Sequence, residues 1–350
     1  MEDMRSHYLG KRVIVTGGAS FIGSRLTDHL VGMGAQVVVI DDFSSGSAEN
    51  LAQANLSGHM EVRHCDLGER SAAEDAIDQA DIVFHLAAIH GGRGFIEAFP
   101  EKMLVNFSID QNVVSCAAAA GVKTLVHASS ACAYPVNLQL ESDGRSLLAE
   151  EMAGFSSSDQ SFPDGTYGWI KLMGEYQVKI AAEAGRFRGR SARIFTAYGE
   201  RENESHAAIA LIAKALMRID PFPVWGTGLQ TRNFTYVEDT VNGLLCLGAD
   251  QSRSPYDVFN VGSRRHHTVL EFLDEVFSQV GWRPSEFDFQ DQYPTGVGNR
   301  AADVSKFVDA FGWEPDPQLA HGVGKTVAWY RELPSRPQTA AELESLLLSR

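Results

Sequence analysis

Tyr167 and Lys171 stand four residues apart in the stretch "YGWIK". On a helix this spacing puts both side chains on one face. An ammonium beside a phenol lowers the phenol pKa, so the pair predicts a tyrosine that acts as a base near neutral pH. Upstream, "HASSACAYP" runs from His127 to Pro135 and places Ser130 and Cys132 just after an apolar run. A thiol is a far stronger acid than a serine hydroxyl, so Cys132 offers a second proton carrier. Each signal has an ordinary alternative. A Tyr-x-x-x-Lys spacing recurs by chance, and a free cysteine is often a small buried filler.

A third signal lies near the start of the chain. Gly17-Gly18-Ala19-Ser20-Phe21-Ile22-Gly23 follows the β-branched run "RVIVT" and opens the helical pattern "SFIGSRLTDHLVGMG". At such a strand-to-helix turn, backbone N–H groups and the helix dipole hold a pyrophosphate. Asp41 follows at the end of the next strand, "AQVVVIDD", where a carboxylate accepts the ribose hydroxyls of adenosine and repels a 2′-phosphate. The turn therefore predicts NAD in preference to NADP, against the plainer reading of a tight βα turn. Ser20 stands where the backbone approaches the pyrophosphate, and its hydroxyl is expected to bond a phosphate oxygen. Asp66 in "CDL" meets either the adenine amine or only its own strand-end turn.

These residues need a scaffold, and the rest of the chain supplies one. The runs "MEVRHCDL", "DIVFHLAA", "KTLVHASS" and "GRSARIFTAYG" read as strands separated by helical segments. Strands alternating with helices predict an α/β fold with a doubly wound parallel sheet, of the Rossmann type. After Glu200 the rhythm loosens into a smaller C-terminal substrate-binding part. The expected division is a dinucleotide-binding domain at 9–199 plus about 234–262, a substrate domain at about 200–233 plus 263–333, and a peripheral tail at 334–350.

Composition narrows the partners. The chain has 350 residues and a formal net charge of −15, which argues against nucleic acid. The four cysteines form no CxxC pair, as expected for a reduced cytoplasmic protein. The start lacks the apolar core of a signal peptide, and no run reaches the roughly 18 apolar residues of a membrane span.

Tyr167-x-x-x-Lys171 after a complete βαβ array and a serine pair at a strand end resembles the extended short-chain dehydrogenase/reductase superfamily of nucleotide-sugar epimerases and dehydratases, over about Lys11 to Trp329. "LAAIHGGRGFI", "ASSACAYP", "YGWIK" and "WGTGLQTRNFTYVED" carry a closer resemblance to the GDP-mannose 3,5-epimerases. The resemblance implies an NAD-dependent epimerase of a nucleotide-diphosphate sugar. It implies that Ser130 binds the hydroxyl being oxidised, with Tyr167 as its base, and that Cys132, one strand-step further along, reaches a different carbon. It places Leu86, Ala87, Ala88 and Lys171 on the cofactor, and Arg232 and Arg300 on the diphosphate. Asn106 falls behind the active tyrosine in a structural place.

The chain also departs from the family. Ala131-Cys132 stand where 4,6-dehydratases carry Asp-Glu, which argues against that reaction. His206 stands where the 3,5-epimerases carry a lysine; it either keeps the proton-transfer role or is a surface histidine. Arg93 replaces an apolar residue, reading either as a contact to the substrate or as a solvated loop residue. The usual N-x-Y-G-P segment is Thr196-Ala197-Tyr198-Gly199-Glu200, so the sugar pose is expected to differ. The rival readings are a 4-epimerase, a cysteine-assisted dehydratase and a non-catalytic NAD-binding regulator. The resemblance further implies a homodimer.

Overall fold

Valine- and isoleucine-rich runs bounded by glycine turns form the central sheet. The computed structural model describes residues 2–140, 145–154 and 162–347. Seven strands, β1 (Arg12–Thr16), β2 (Gln36–Asp41), β3 (Met60–His64), β4 (Ile82–His85), β5 (Thr124–Ser130), β6 (Arg188–Ile194) and β7 (Tyr256–Val261), lie in the order β7-β6-β5-β4-β1-β2-β3. Every neighbouring pair is parallel. Parallel strands need crossover connections, and helices here cover the sheet. The chain winds outward from β1 to β3 and then returns to β4 on the other side of β1. That reversal opens a crevice at the carboxyl ends of β1 and β4, where ligands of open α/β sheets bind.

Seven helices matter to the argument: α1 (Phe21–Gly32), α2 (Val105–Ala119), α3 (Gly165–Glu183), α4 (Ala207–Leu216), α5 (Val237–Ala249), α6 (Val269–Val280) and α7 (Leu319–Glu332). Helix α6 opens with a capping box between Thr268 and Glu271 and closes at Gly281 in a left-handed conformation. It packs against α4 and α7.

The C-terminal half adds short strands outside the main sheet. Thr231–Arg232 pairs antiparallel with His267–Thr268 and parallel with Asn299–Arg300, with Arg300 directly opposite Arg232. Phe222–Trp225 pairs with Phe287–Gln290. The tail is less peripheral than its sequence suggests. Its helix, Ala340–Leu347, lies against α4 and buries Leu343 to 1% exposure.

Candidate active site

The glycine turn is held by close approach. A Cβ on Gly23 would lie 2.1 Å from the Gly17 carbonyl oxygen, and Gly17 has φ +67° with its α-carbon against Ala87. No other residue type fits Gly23, and the turn therefore brings the N-terminus of α1 to the crevice. One cavity at the carboxyl ends of β1, β2 and β4 is lined by Gly17, Ser20, Asp41, Asp66, Leu86, Ala87 and Ala88. A second shares Ser20, Leu86 and Ala88 with it, adds Phe21 and Ile22, and continues to Ser130, Tyr167 and Lys171. The two form one crevice, long enough in lining to take a dinucleotide from its adenosine end to the tyrosine. The residues present thus fit NAD, with the N–H groups opening α1 at its middle.

Local bonding refines three of these residues. Asp41 is buried, and its carboxylate accepts from Ala19 N at 2.9 Å and Phe43 N at 2.8 Å. It therefore holds the glycine turn while lining the cavity. Asp66 accepts from Gly68 N at 2.8 Å, the turn bond of its plainer reading, and it also lines the cavity. Ser20 corrects an expectation: its hydroxyl donates to the Gly17 carbonyl at 2.6 Å, so the turn itself uses that proton.

Helix α3 reaches the site through a buried clamp. Tyr167, Lys171 and Glu175 recur every four residues and share its inner face. Glu175 takes two bonds from Arg193 on β6, at 2.9 and 2.8 Å, and one from Ser129 at 2.5 Å. Lys171 Nζ donates to the Ala128 carbonyl at 2.9 Å. Gly168 allows the approach, since a Cβ there would lie 2.2 Å from the Cys132 carbonyl oxygen. Ser129 and Ser130 both line the cavity, but the Ser129 hydroxyl is bound to Glu175, while the Ser130 Oγ accepts from Cys132 N at 3.1 Å.

The electrostatics correct the simplest view of the tyrosine. Lys171 Nζ lies 5.7 Å from the Tyr167 ring centre. Burial pushes the Tyr167 phenol well above its ordinary value, and the Cys132 and Asp110 charges push the same way. Burial also lowers Lys171, with Asp110 opposing. Beneath them, Asp110 accepts from His85 at 3.0 Å and Thr16 bonds the other His85 nitrogen at 2.8 Å. This buried network was not anticipated, because its members come from β1, β4 and α2.

Cys132 sits in the cavity, but not by strand alternation. β5 ends at Ser130, and a single 3₁₀ turn, Ala131–Ala133, carries the thiol round. Arg300 Nη1 lies 3.4 Å from its sulfur. The three expected arginines all line the same cavity. Their guanidinium groups are not open forks, however. Arg300 also bonds Gln139 at 2.6 Å and Asp164 at 2.8 Å. Arg93 bonds both Asp164 oxygens, at 2.9 and 3.0 Å, and Glu97 at 2.5 Å. Arg232 donates to the Thr231 and Thr295 carbonyls at 2.7 and 2.8 Å. Burial, with Arg300 adding, lowers Arg232 to about 9. Burial opposes ionisation of Asp164, but Arg300 and Arg93 outweigh it and hold the carboxyl low. Asp164 was missed because nothing local marks it; only the fold sets it between two arginines. Three guanidinium groups against the Asp164 and Glu97 carboxylates leave a net cationic wall suited to an anionic ligand.

His206 caps α4 and lines the cavity, so it is no surface residue. Its Nε2 lies 3.3 Å from Nδ1 of His90, which sits against Tyr167. Asn106 bonds both backbone groups of Ile89, at 2.7 and 2.8 Å, and so fixes the His90 loop as a structural residue. Glu200 turns to the Tyr236 hydroxyl at 2.9 and 3.0 Å and is not among the cavity-lining residues.

Comparison with known proteins agrees with this geometry. The model of the NAD dependent epimerase/dehydratase family matches residues 13–262. The chain is 30% identical over 344 residues to GDP-mannose 3,5-epimerase 1 of Oryza sativa subsp. indica, covering 94% of this chain and 84% of that protein. It is 27% identical over 339 residues to UDP-N-acetyl-alpha-D-glucosaminuronate decarboxylase of Bacillus cytotoxicus, covering 92% and 98%. The structure of MoeE5 in complex with UDP-glucuronic acid and NAD superposes with a TM-score of 0.77 at 27% identity, covering 91% and 99%. The cofactor is NAD, and the chain belongs to the NAD-dependent epimerase/dehydratase family.

Proposed function

We propose that the protein is a nucleotide-sugar epimerase of the GDP-mannose 3,5-epimerase kind, acting by transient oxidation at C4 of the sugar and proton exchange at C3 and C5. The observation that carries this reading is a thiol, Cys132, in the same cavity as Tyr167 and under an arginine donor. A site that only oxidised and reduced C4 has no use for a second proton carrier there.

When bound, NAD supplies reversible hydride acceptance, which leaves a ketone at C4. Ser130 and Tyr167 hold O4 and take its proton. Burial disfavours the phenolate, and the Ala128 carbonyl keeps Lys171 in place near the Tyr167 ring. A ketone at C4 acidifies the hydrogens on C3 and C5. Cys132 exchanges those protons, with Arg300 Nη1 3.4 Å from its sulfur. Arg93, Arg232 and Arg300 line the wall that takes the charged part of the substrate.

Turnover of GDP-mannose in D2O tests this reading. Deuterium is expected at C3, C5 or both in the inverted product. Inverted product without carbon-bound deuterium would leave a 4-epimerase in its place, and loss of water would indicate a dehydratase.

A further inference from the structure

Inversion at carbon takes a proton from one face and returns one to the other, so Cys132 needs a partner. The lysine of the resembled epimerases is here His206, yet another residue stands between it and Tyr167. The His90 ring centre lies 5.0 Å from that of Tyr167 and 5.0 Å from that of His206. Beyond, His206 Nδ1 lies 3.1 Å from Glu202 Oε1, within ion-pair distance although not aligned as a hydrogen bond. Glu202, His206, His90 and Tyr167 all line the one cavity.

The backbone is built to make this row. A Cβ on Gly92 would lie 1.8 Å from the Ser205 carbonyl oxygen, so only glycine lets the loop after β4 close onto the segment that carries His206. The row also sets the ring tautomers. The nearness of Glu202 Oε1, 3.1 Å away, assigns the His206 proton to Nδ1 and leaves Nε2 as the acceptor. His90 Nδ1 must then donate to it, which leaves His90 Nε2 with a bare lone pair and no protein partner among the described residues. Burial, then His206 and Lys171, hold the His90 pKa well below its ordinary value, so the ring is neutral.

We propose that His90, backed by His206 and Glu202, is the second acid–base group of this site and works as the counterpart of Cys132. The proposal rests on the epimerase reading. The C–H bond beside the ketone breaks, its electron pair passes into the enolate, and an N–H bond forms at His90 Nε2. The Cys132 thiol then protonates the opposite face of the carbon. The imidazolium gives its Nε2 proton directly to solvent in the cavity, which restores the starting tautomers, and the thiolate regains one from solvent, while His206 and Glu202 hold the His90 tautomer and carry no proton.

The test follows deuterium entering GDP-mannose in D2O with the NAD-loaded protein. In Cys132→Ser, His90 still removes and returns a proton on its own face, so recovered substrate should gain deuterium without inversion. Adding His90→Gln should suppress that exchange by about 100-fold, the lower range for a general base. Adding His206→Gln instead should slow exchange without abolishing it. NAD binding and thermal unfolding of each variant confirm the fold. Exchange in Cys132→Ser/His90→Gln as fast as in Cys132→Ser, or none in Cys132→Ser itself, overturns the assignment. Should His90→Gln fail to fold, an unchanged exchange rate in Cys132→Ser/His206→Gln overturns it equally. Nitrogen-15 NMR of the histidine rings reads the row without any substrate. An unprotonated His90 Nε2 supports the assignment, and a protonated one overturns it. Wild-type protein that neither exchanges nor inverts GDP-mannose overturns the function proposed above, while the NMR result still judges the His90 row by itself.

Discussion

At Tyr167 burial and function oppose each other. The ring packs among Phe95, Met103 and Ile170, and that packing is what raises the phenol. Removing the oxygen alone therefore keeps the packing and removes the proton carrier. Tyr167→Phe is expected to unfold at the wild-type temperature and bind NAD equally, with turnover down by about 100-fold or more. Steady-state assay and calorimetry check this; activity near wild type would exclude Tyr167 as the base. Asp41 carries a second prediction at this scale. Its carboxylate is fixed by two backbone donors and cannot turn away from a 2′-phosphate. NAD should bind at least about tenfold more tightly than NADP, or 1.4 kcal/mol, measured by calorimetric titration of both.

Between elements, helix α1 depends on α5 as well as on its glycine turn. Arg25 and His29, one turn apart on α1, both bond Glu238 at the start of α5, His29 at 2.6 Å and Arg25 Nε at 2.8 Å. Burial disfavours the Glu238 charge, but the His29 and Arg25 bonds outweigh it and draw the carboxyl from 4.5 down to about 2. A carboxyl depressed on folding stabilises above its unfolded pKa, and that contribution is lost as pH falls through the folded value. Glu238→Gln should therefore cost about 1–2 kcal/mol at pH 7. The gap to wild type should narrow steadily between pH 4.5 and 2. Urea unfolding across that range measures it, and a gap independent of pH would contradict the ion-pair account.

For the whole molecule, the outer face of α3 is the notable surface. Trp169, Tyr176 and Ile180 are 41%, 38% and 50% exposed on a helix whose inner face carries Tyr167. Helix α2 packs beside α3, so the two present a joint face. We propose that this face pairs with a second copy of the chain, since a face of that apolarity is costly in water. Light scattering should give a dimer mass, and Ile180→Glu should shift it towards a monomer with the fold retained. A wild-type monomer at all concentrations would refute the pairing.

The sequence alone determined the parallel sheet, the glycine turn with its acid, and the Tyr167–Lys171 face, because each is a local pattern. Strand period, helix spacing and turn glycines follow from contacts within a few residues. Ser130 and Cys132 were legible as chemistry, but the 3₁₀ turn that aims the thiol was not. The tertiary structure alone decided the company these residues keep. Asp164 and Gln139 occupy guanidinium groups that looked free for phosphate, and parallel pairing of two short strands sets Arg232 beside Arg300. His90 and His206 are 116 positions apart in the chain and meet only because Gly92 lacks a side chain. Charges and lone pairs act through space, and their balance depends on which distant segments the fold brings within a few ångströms, a quantity no local pattern encodes.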